Sequence, residues 1–402
     1  MTRTLAREEV AAHQLTETFP ILDTMRAVGA LAVVATHCGF NAGAYTEWGA
    51  AGRLVARMDV GVAIFFVLSG FLLARPWLAR ARAGLDRPTL GRYLWKRFLR
   101  IVPAYVVVAV VALALIDDNA DLGAAGWLKS LTMTDIYLSR SMPFGLTQTW
   151  SLATEVAFYL ALPLLMLLAV GRGRLRSGRV LVVLGVLAVV NVVWLLDASG
   201  RVPVDTSQVN EWLPAYLIWF GVGIALAMVQ LTPEHPGRVR RAVRELAASP
   251  GSCWTVALGL LLVAGTSIAG PTLLVPATPE EALTKNLLYA AVATLVVIPG
   301  IFAAPGGLYT RVMSHHGLRH LGYLSYGVFL IHMSVLHFVM WWTGYPLFDG
   351  HLAQIFVLTL VLSLVAAELL YRLVERPAMR LRNLGSGSTP AATTAETVSI
   401  TR

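Results

Sequence analysis

Charge is scarce in this chain. Asp, Glu, Lys and Arg make up only 14% of its 402 residues, whereas hydrophobic types make up 56%. With a mean hydropathy of +0.66, a soluble domain of this length is excluded. Apolar runs recur, each long enough to cross about 30 Å of hydrocarbon. Cysteine is scarcer still: Cys38 and Cys253 fall on different predicted helices, which excludes a disulfide framework. Zinc-ligand spacing is absent as well, so no metal is expected. The first twenty residues carry Glu8, Glu9 and Glu17 and lack the basic segment, apolar core and cleavage site of a signal peptide. The first apolar span is therefore expected to direct insertion. No internal repeat is evident, which weighs against a transporter built from inverted repeats.

What is present is an all-α polytopic membrane protein of about ten spans: 19–40, 58–78, 98–117, 146–170, 178–197, 211–231, 252–270, 284–304, 321–342 and 351–374. The basic residues alternate between the connections. The second connection holds Arg75, Arg80, Arg82, Arg87, Arg92, Lys96, Arg97 and Arg100. Later even-numbered connections carry Arg172, Arg174, Arg176 and Arg179, then Arg238, Arg240, Arg241 and Arg244, then Arg311 and Arg319. The odd-numbered ones contain only Arg53, Arg57, Lys129, Arg140, Arg201 and Lys285. The positive-inside rule then puts both termini in the cytoplasm. The net charge of +9 is a topology signal with lipid headgroups as its anionic partner, and nucleic acid is not an expected ligand. Residues 1–18 form an expected cytoplasmic segment, 19–382 the membrane domain, and 383–402, rich in Gly, Ser, Thr and Ala, a disordered cytoplasmic tail.

The first span begins LDTMRAVGALAVVATH, with Arg26 and His37 eleven residues apart. On a helix that is about 16 Å of rise with a rotational mismatch of only ~20°, so both lie on one face. Ionisable groups at membrane depth face a cavity or a partner. Arg26 can instead pair with Asp23, and His37 can be a hydrogen-bonded core residue. Lys96, Arg97 and Arg100 cluster at the start of the third span, either as a phosphate site or as an interfacial anchor. In the fourth span Ser151, Glu155 and Tyr159 form a polar stripe at i, i+4, i+8; Glu155 has no basic residue within a turn, so its partner comes from another helix or it is protonated. Ser69 and Gly70 in the second span permit close helix contact. His332 in the ninth span is a second mid-membrane imidazole, on one face with Ser325. His315, His316 and His320 look like a solvated cluster.

These stretches together resemble the acyltransferase-3 family of bacterial multi-pass membrane O-acyltransferases. The matching features are LDxxRAxxAxxVVxxH at 22–37, GVxxFFVLSGFL at 61–72 and KRxxRIxPxY at 96–105. TWSLxxExxFYLxLP at 149–163, LGxLSYGxFLxH at 321–332 and ERP at 375–377 follow in the family's order. Ala63 departs from it where many members carry an acid, which removes any carboxylate role there. No SGNH-type hydrolase domain, which some members append, is expected from these residues.

The resemblance implies a protein of the bacterial cytoplasmic (inner) membrane that moves an acyl group, often acetyl, from acyl-CoA to a hydroxyl. Implied acceptors are cell-envelope carbohydrates, peptidoglycan, glycolipids and macrolides. Arg26, Arg97 and Arg100 carry over by motif match, with Lys96 beside them, as the donor-binding cations. His37 carries over as the expected general base, with Glu155 as an orienting or charge-stabilising partner. Ser69, Ser151, Tyr159 and His332 are the expected substrate or oxyanion groups. A competing reading is a proton-coupled transporter or flippase of a lipid-linked or small-molecule substrate, in which His, Glu and Arg would serve proton movement.

Overall fold

The computed structural model describes residues 17–171, 175–202, 208–231, 237–272 and 275–383. The expected tail, and all but the end of the expected N-terminal segment, lie outside them. Among the described residues the secondary structure is helical throughout. Nine helices are long and apolar enough to cross a membrane, or ten when one bent pair counts as a span. The elements that matter below are α1 (Pro20–Asn41), α2 (Gly61–Ala83), α3 (Leu90–Leu115), α4 (Trp150–Val170), α5 (Ser177–Leu196) and α6 (Leu217–Leu231). They continue as α7 (Arg238–Ala248), α8 (Pro250–Ala264), α9 (Pro279–Phe302), α10 (His316–Thr343) and α11 (Leu352–Leu370).

The bent pair is α7 and α8, which meet at 94°. The seventh expected span, 252–270, is therefore shorter than the hydropathy suggested. Fifteen residues of α8 rise only about 22 Å, and a 3₁₀ turn, Ser267–Ala269, follows. Arg57, 3% exposed, satisfies the carbonyls at that end: Nε donates to Ala264 (2.8 Å), and Nη2 to Ala269 (3.0 Å) and Gly270 (2.5 Å). A residue counted as a loop cation thus stabilises a helix C-terminus. Arg57 precedes α2, whereas Arg240 of α7 feels the charge of Arg82 near the end of α2, so the two ends of the bent pair stand near opposite ends of α2.

Both described ends lie on one face. Near the start of the described chain, Glu17 pairs with Arg75 at 2.5 Å and accepts from Gln230 at 2.8 Å. Near its end, the Leu381 carbonyl accepts from Trp95 Nε1 at 3.1 Å. Arg75 and Trp95 flank the α2–α3 connection. Arg75, expected in the connection, lies within α2 instead and is 5% exposed.

Small residues let the central helices touch. A Cβ on Gly70 of α2 would overlap the Phe220 carbonyl of α6, and one on Gly223 would overlap the α2 backbone at Val67. With that spacing closed, Phe220 stacks on Phe66 (4.4 Å) and Phe158 (3.9 Å), tying α2, α6 and α4 together. Gly322 plays the same part where α10 crosses the Asp23 backbone of α1. The layer α1, α2, α3, α4 and α10 encloses the polar groups.

Candidate active site

The third helix begins at Leu90, eight residues earlier than the expected 98. Lys96, Arg97 and Arg100 are therefore six to ten residues inside it, and Arg100 stands about 15 Å from its start. The cluster thus lies along a helix wall, Lys96 to Arg100 rising about 6 Å, and it divides between two connected spaces.

The outer space, about 440 Å³, opens at the α2–α3 connection. Its cations are Arg80, Arg87, Arg92, Lys96 and Arg97. Leu72, Leu73 and Arg97 line both it and a deeper cavity of about 100 Å³. The deeper cavity is lined by Arg26, Arg100, Ser69, Ser151, Glu155 and Tyr159, with Phe65, Tyr326 and Phe329 among its apolar and aromatic walls. Seven of the ten residues singled out from sequence therefore face it, Arg97 included. Lys96 lines only the mouth, and His37 and His332 line neither space.

Glu155 finds its partners on α2 and α4. Ser69 Oγ donates to Oε1 across the helices, and Tyr159 OH donates to the same oxygen at 2.8 Å. The expected His37–Glu155 pairing is not formed, since both donors to Glu155 are hydroxyls. Ser151 gives its hydrogen to the Gln148 carbonyl, 3.3 Å away and within its own helix turn. Arg97 lies over the Tyr159 ring at 6.0 Å, and its buried Nε has no hydrogen-bond partner among the described residues. Arg100 pairs with Glu375 at 3.0 Å, a residue 2% exposed in the π-helical turn Tyr371–Glu375 that ends α11. Arg26 keeps the alternative contact with Asp23 at 3.9 Å, while Asp23 bonds Arg319 more closely, at 3.3 Å.

His37 and His332 meet each other. Nδ1 of His37 and Nε2 of His332 are 2.9 Å apart, and the rings stack with centroids 5.1 Å apart. Phe65 and Phe329 of the cavity wall meet edge to face at 5.7 Å, and the Phe329 ring lies 6.0 Å from that of His332. No group of metal-ligating side chains occurs among the described residues; His320, from the solvated cluster, bonds Glu368 at 2.9 Å.

Sequence reasoning did not find Glu375 as the counter-ion of Arg100, or the aromatic pair. The signal for the first was present, an acid inside an otherwise basic helix end. The two phenylalanines carry no such mark in an apolar helix.

Residues 19–372 match the acyltransferase-domain family. The chain belongs to the acyltransferase-3 family. Among its relatives is a peptidoglycan O-acetyltransferase, OatA, of Listeria monocytogenes, 26% identical over 89% of this chain and 55% of the relative. Acyltransferase MdmB of Streptomyces mycarofaciens is 27% identical over 86% of this chain and 87% of its own length. Nodulation protein 10 of Rhizobium leguminosarum is 27% identical over 80% and 82%. The chain thus spans about half the length of the peptidoglycan relative and most of the other two. No solved structure matches it.

Proposed function

We propose that this chain is a membrane O-acyltransferase of the bacterial cytoplasmic membrane, taking an acyl group, acetyl in the simplest case, from acyl-CoA. The acceptor is a hydroxyl of an envelope carbohydrate, glycolipid or macrolide. One observation carries the reading: a cationic mouth leads through Arg97 into a smaller cavity lined by Ser69, Glu155 and Tyr159 and walled by Phe65 and Phe329, the latter 6.0 Å from the His332 ring. The names of the relatives, an O-acetyltransferase and an acyltransferase among them, fit the same chemistry.

In this reading the face bearing the α2–α3 connection is cytoplasmic, as its arginines favour. The nucleotide phosphates of the donor rest among Arg80, Arg92, Lys96 and Arg97, whose guanidinium groups offer planar, multi-donor bonding to phosphate oxygens. The buried Nε of Arg97 then gains a partner. The thin pantetheine arm enters the inner cavity past Arg26 and Arg100. Ser69 and Tyr159 both donate to one Glu155 oxygen, so either hydroxyl can turn to the thioester oxygen while the other keeps the carboxylate satisfied.

Transfer requires the Phe65 and Phe329 rings to part, bringing the thioester to His37. Nε2 of His37 takes the acceptor's hydroxyl proton as the acceptor oxygen bonds the carbonyl carbon. The carbon–sulfur bond then breaks, and the imidazolium returns its proton to the CoA thiolate. The acceptor arrives from the opposite face, where α1 ends.

The test is thiol release in purified membranes supplied with acyl-CoA and candidate acceptors, comparing wild type, His37→Ala and Arg97→Ala. Release that needs an acceptor and collapses in both variants supports the reading. Counterflow of a candidate substrate with no thiol released would overturn it in favour of transport.

A further inference from the structure

His332 is 0% exposed, lines neither cavity, and has both ring nitrogens engaged. Nδ1 lies 2.7 Å from the Phe329 carbonyl and 3.2 Å from that of Val328. A carbonyl oxygen only accepts, so Nδ1 carries a hydrogen. In the neutral ring Nε2 is then an acceptor, and the one atom beside it is Nδ1 of His37, 2.9 Å away. His37 must therefore hold its hydrogen on Nδ1, facing His332, and the Val33 carbonyl one turn back also bonds this ring. The consequence falls on the far side of the His37 ring, where Nε2 is left with a lone pair.

We infer that His332 is a positioning residue that fixes the tautomer of His37, through the relay Phe329 carbonyl to His332 Nδ1–H, His332 Nε2 to His37 Nδ1–H, so that Nε2 of His37 is the atom that accepts the acceptor's proton. This rests on the assignment of His37 as base and deepens it. It also gives His332 a role other than the expected contact with substrate: a ring with both nitrogens committed has no hydrogen to offer an oxyanion.

The relay holds charge as well as orientation. When Nε2 takes the proton, His37 becomes an imidazolium with two N–H groups. Its Nδ1–H keeps the neutral His332 Nε2 as acceptor, so no new bond has to form while the positive charge is present. The proton does not travel on, because the hydrogen on His332 Nδ1 is tied to two backbone carbonyls and has no open acceptor beyond them. The proton stays on His37 until the thiolate collects it.

Four variants of the full-length protein in membranes test this: His332→Leu, His332→Gln, His37→Ala, and the double variant His37→Ala with His332→Leu. Glutamine presents an oxygen near the position of Nε2, whereas leucine has the bulk and no acceptor. His332→Leu is expected to lose about 10²- to 10⁴-fold in kcat, the range for loss of a base or of its tautomer, with the KM for acyl-CoA unchanged. His332→Gln is expected to recover at least tenfold over leucine. The double variant is expected to be no worse than His37→Ala alone, since the two residues act as one unit. Nitrogen-15 spectra of labelled imidazole supply a readout that packing alone does not move: His37 is a single Nδ1–H tautomer in wild type and His332→Gln, and a mixture in His332→Leu.

Equal activity of the leucine and glutamine variants, or a double variant worse by the product of the single losses, would overturn the relay while leaving His37 as base. Full activity in His37→Ala would overturn both, by removing the base that the relay serves.

Discussion

Phe65 of α2 and Phe329 of α10 meet edge to face with ring centroids 5.7 Å apart, and both line the inner cavity. The Phe329 ring also lies 6.0 Å from that of His332, which lines neither space. A barrier there keeps water from a bound thioester until the acceptor is in place. Phe65→Leu is therefore expected to raise acceptor-independent thiol release relative to transfer. The two rates, measured with and without acceptor, check this, and an unchanged ratio would rule out the barrier.

Arg97 belongs to both spaces and has no anionic partner among the described residues. Losing one charge-assisted contact to phosphate costs about 1.5–3 kcal/mol. Arg97→Ala is accordingly expected to raise the KM for acyl-CoA by about 10- to 100-fold with a smaller change in kcat. An acyl-pantetheine donor, which lacks the nucleotide phosphates, should be used equally by both proteins. A parallel loss with that donor would move the role of Arg97 away from phosphate.

Arg57 joins the end of α8 to the start of α2 through three backbone carbonyls. Arg57→Met keeps most of the bulk and abandons those carbonyls, a loss of about 2–4 kcal/mol. A melting temperature lowered by several degrees in detergent is the expected result. Since Arg57 is remote from both cavities, the KM for acyl-CoA should not move.

Glu211 precedes the span Leu213–Leu231, and its Oε2 is buried without a hydrogen-bond partner. Burial pushes its carboxyl up to about 7. A folded-state pKa above the unfolded one means that the native state holds the proton more tightly. Stability is thus retained below about pH 4.5 and falls as pH rises through 7, by no more than about 3–4 kcal/mol. Glu211→Gln removes the ionisation. Its melting temperature should exceed that of wild type at pH 8 and change less between pH 5 and 7.5.

The sidedness of the basic face has its own test. Asp86 is exposed in the α2–α3 connection, while Cys38 and Cys253 are buried. A membrane-impermeant thiol reagent should label Asp86→Cys in inverted vesicles and spare it in intact cells. The reverse pattern would place the donor site outside.

The spans and the polar set were legible in the sequence because both follow from local rules. Twenty apolar residues announce a crossing, and an arginine or glutamate inside one announces a cavity. What was not legible depends on which helices touch. Glu155 bonds Ser69, 86 positions away, rather than His37, and Arg100 pairs with Glu375, 275 positions away. The third helix was expected to begin at 98 because Arg92, Lys96 and Arg97 look like a loop. A water-accessible mouth lets those cations sit along a helix wall, so the charge that marks a boundary elsewhere does not mark one here.

The short α8 has a bearing on the membrane itself. Its rise of about 22 Å falls short of the ~30 Å of an average hydrocarbon layer, and α7 turns away from it at 94° instead of extending it. Lipid beside this flank is expected to thin, whereas α9 and α10, with 24 and 28 residues, match a full-thickness bilayer; short-chain phospholipids should then gather along the α8 flank in preference to long-chain ones.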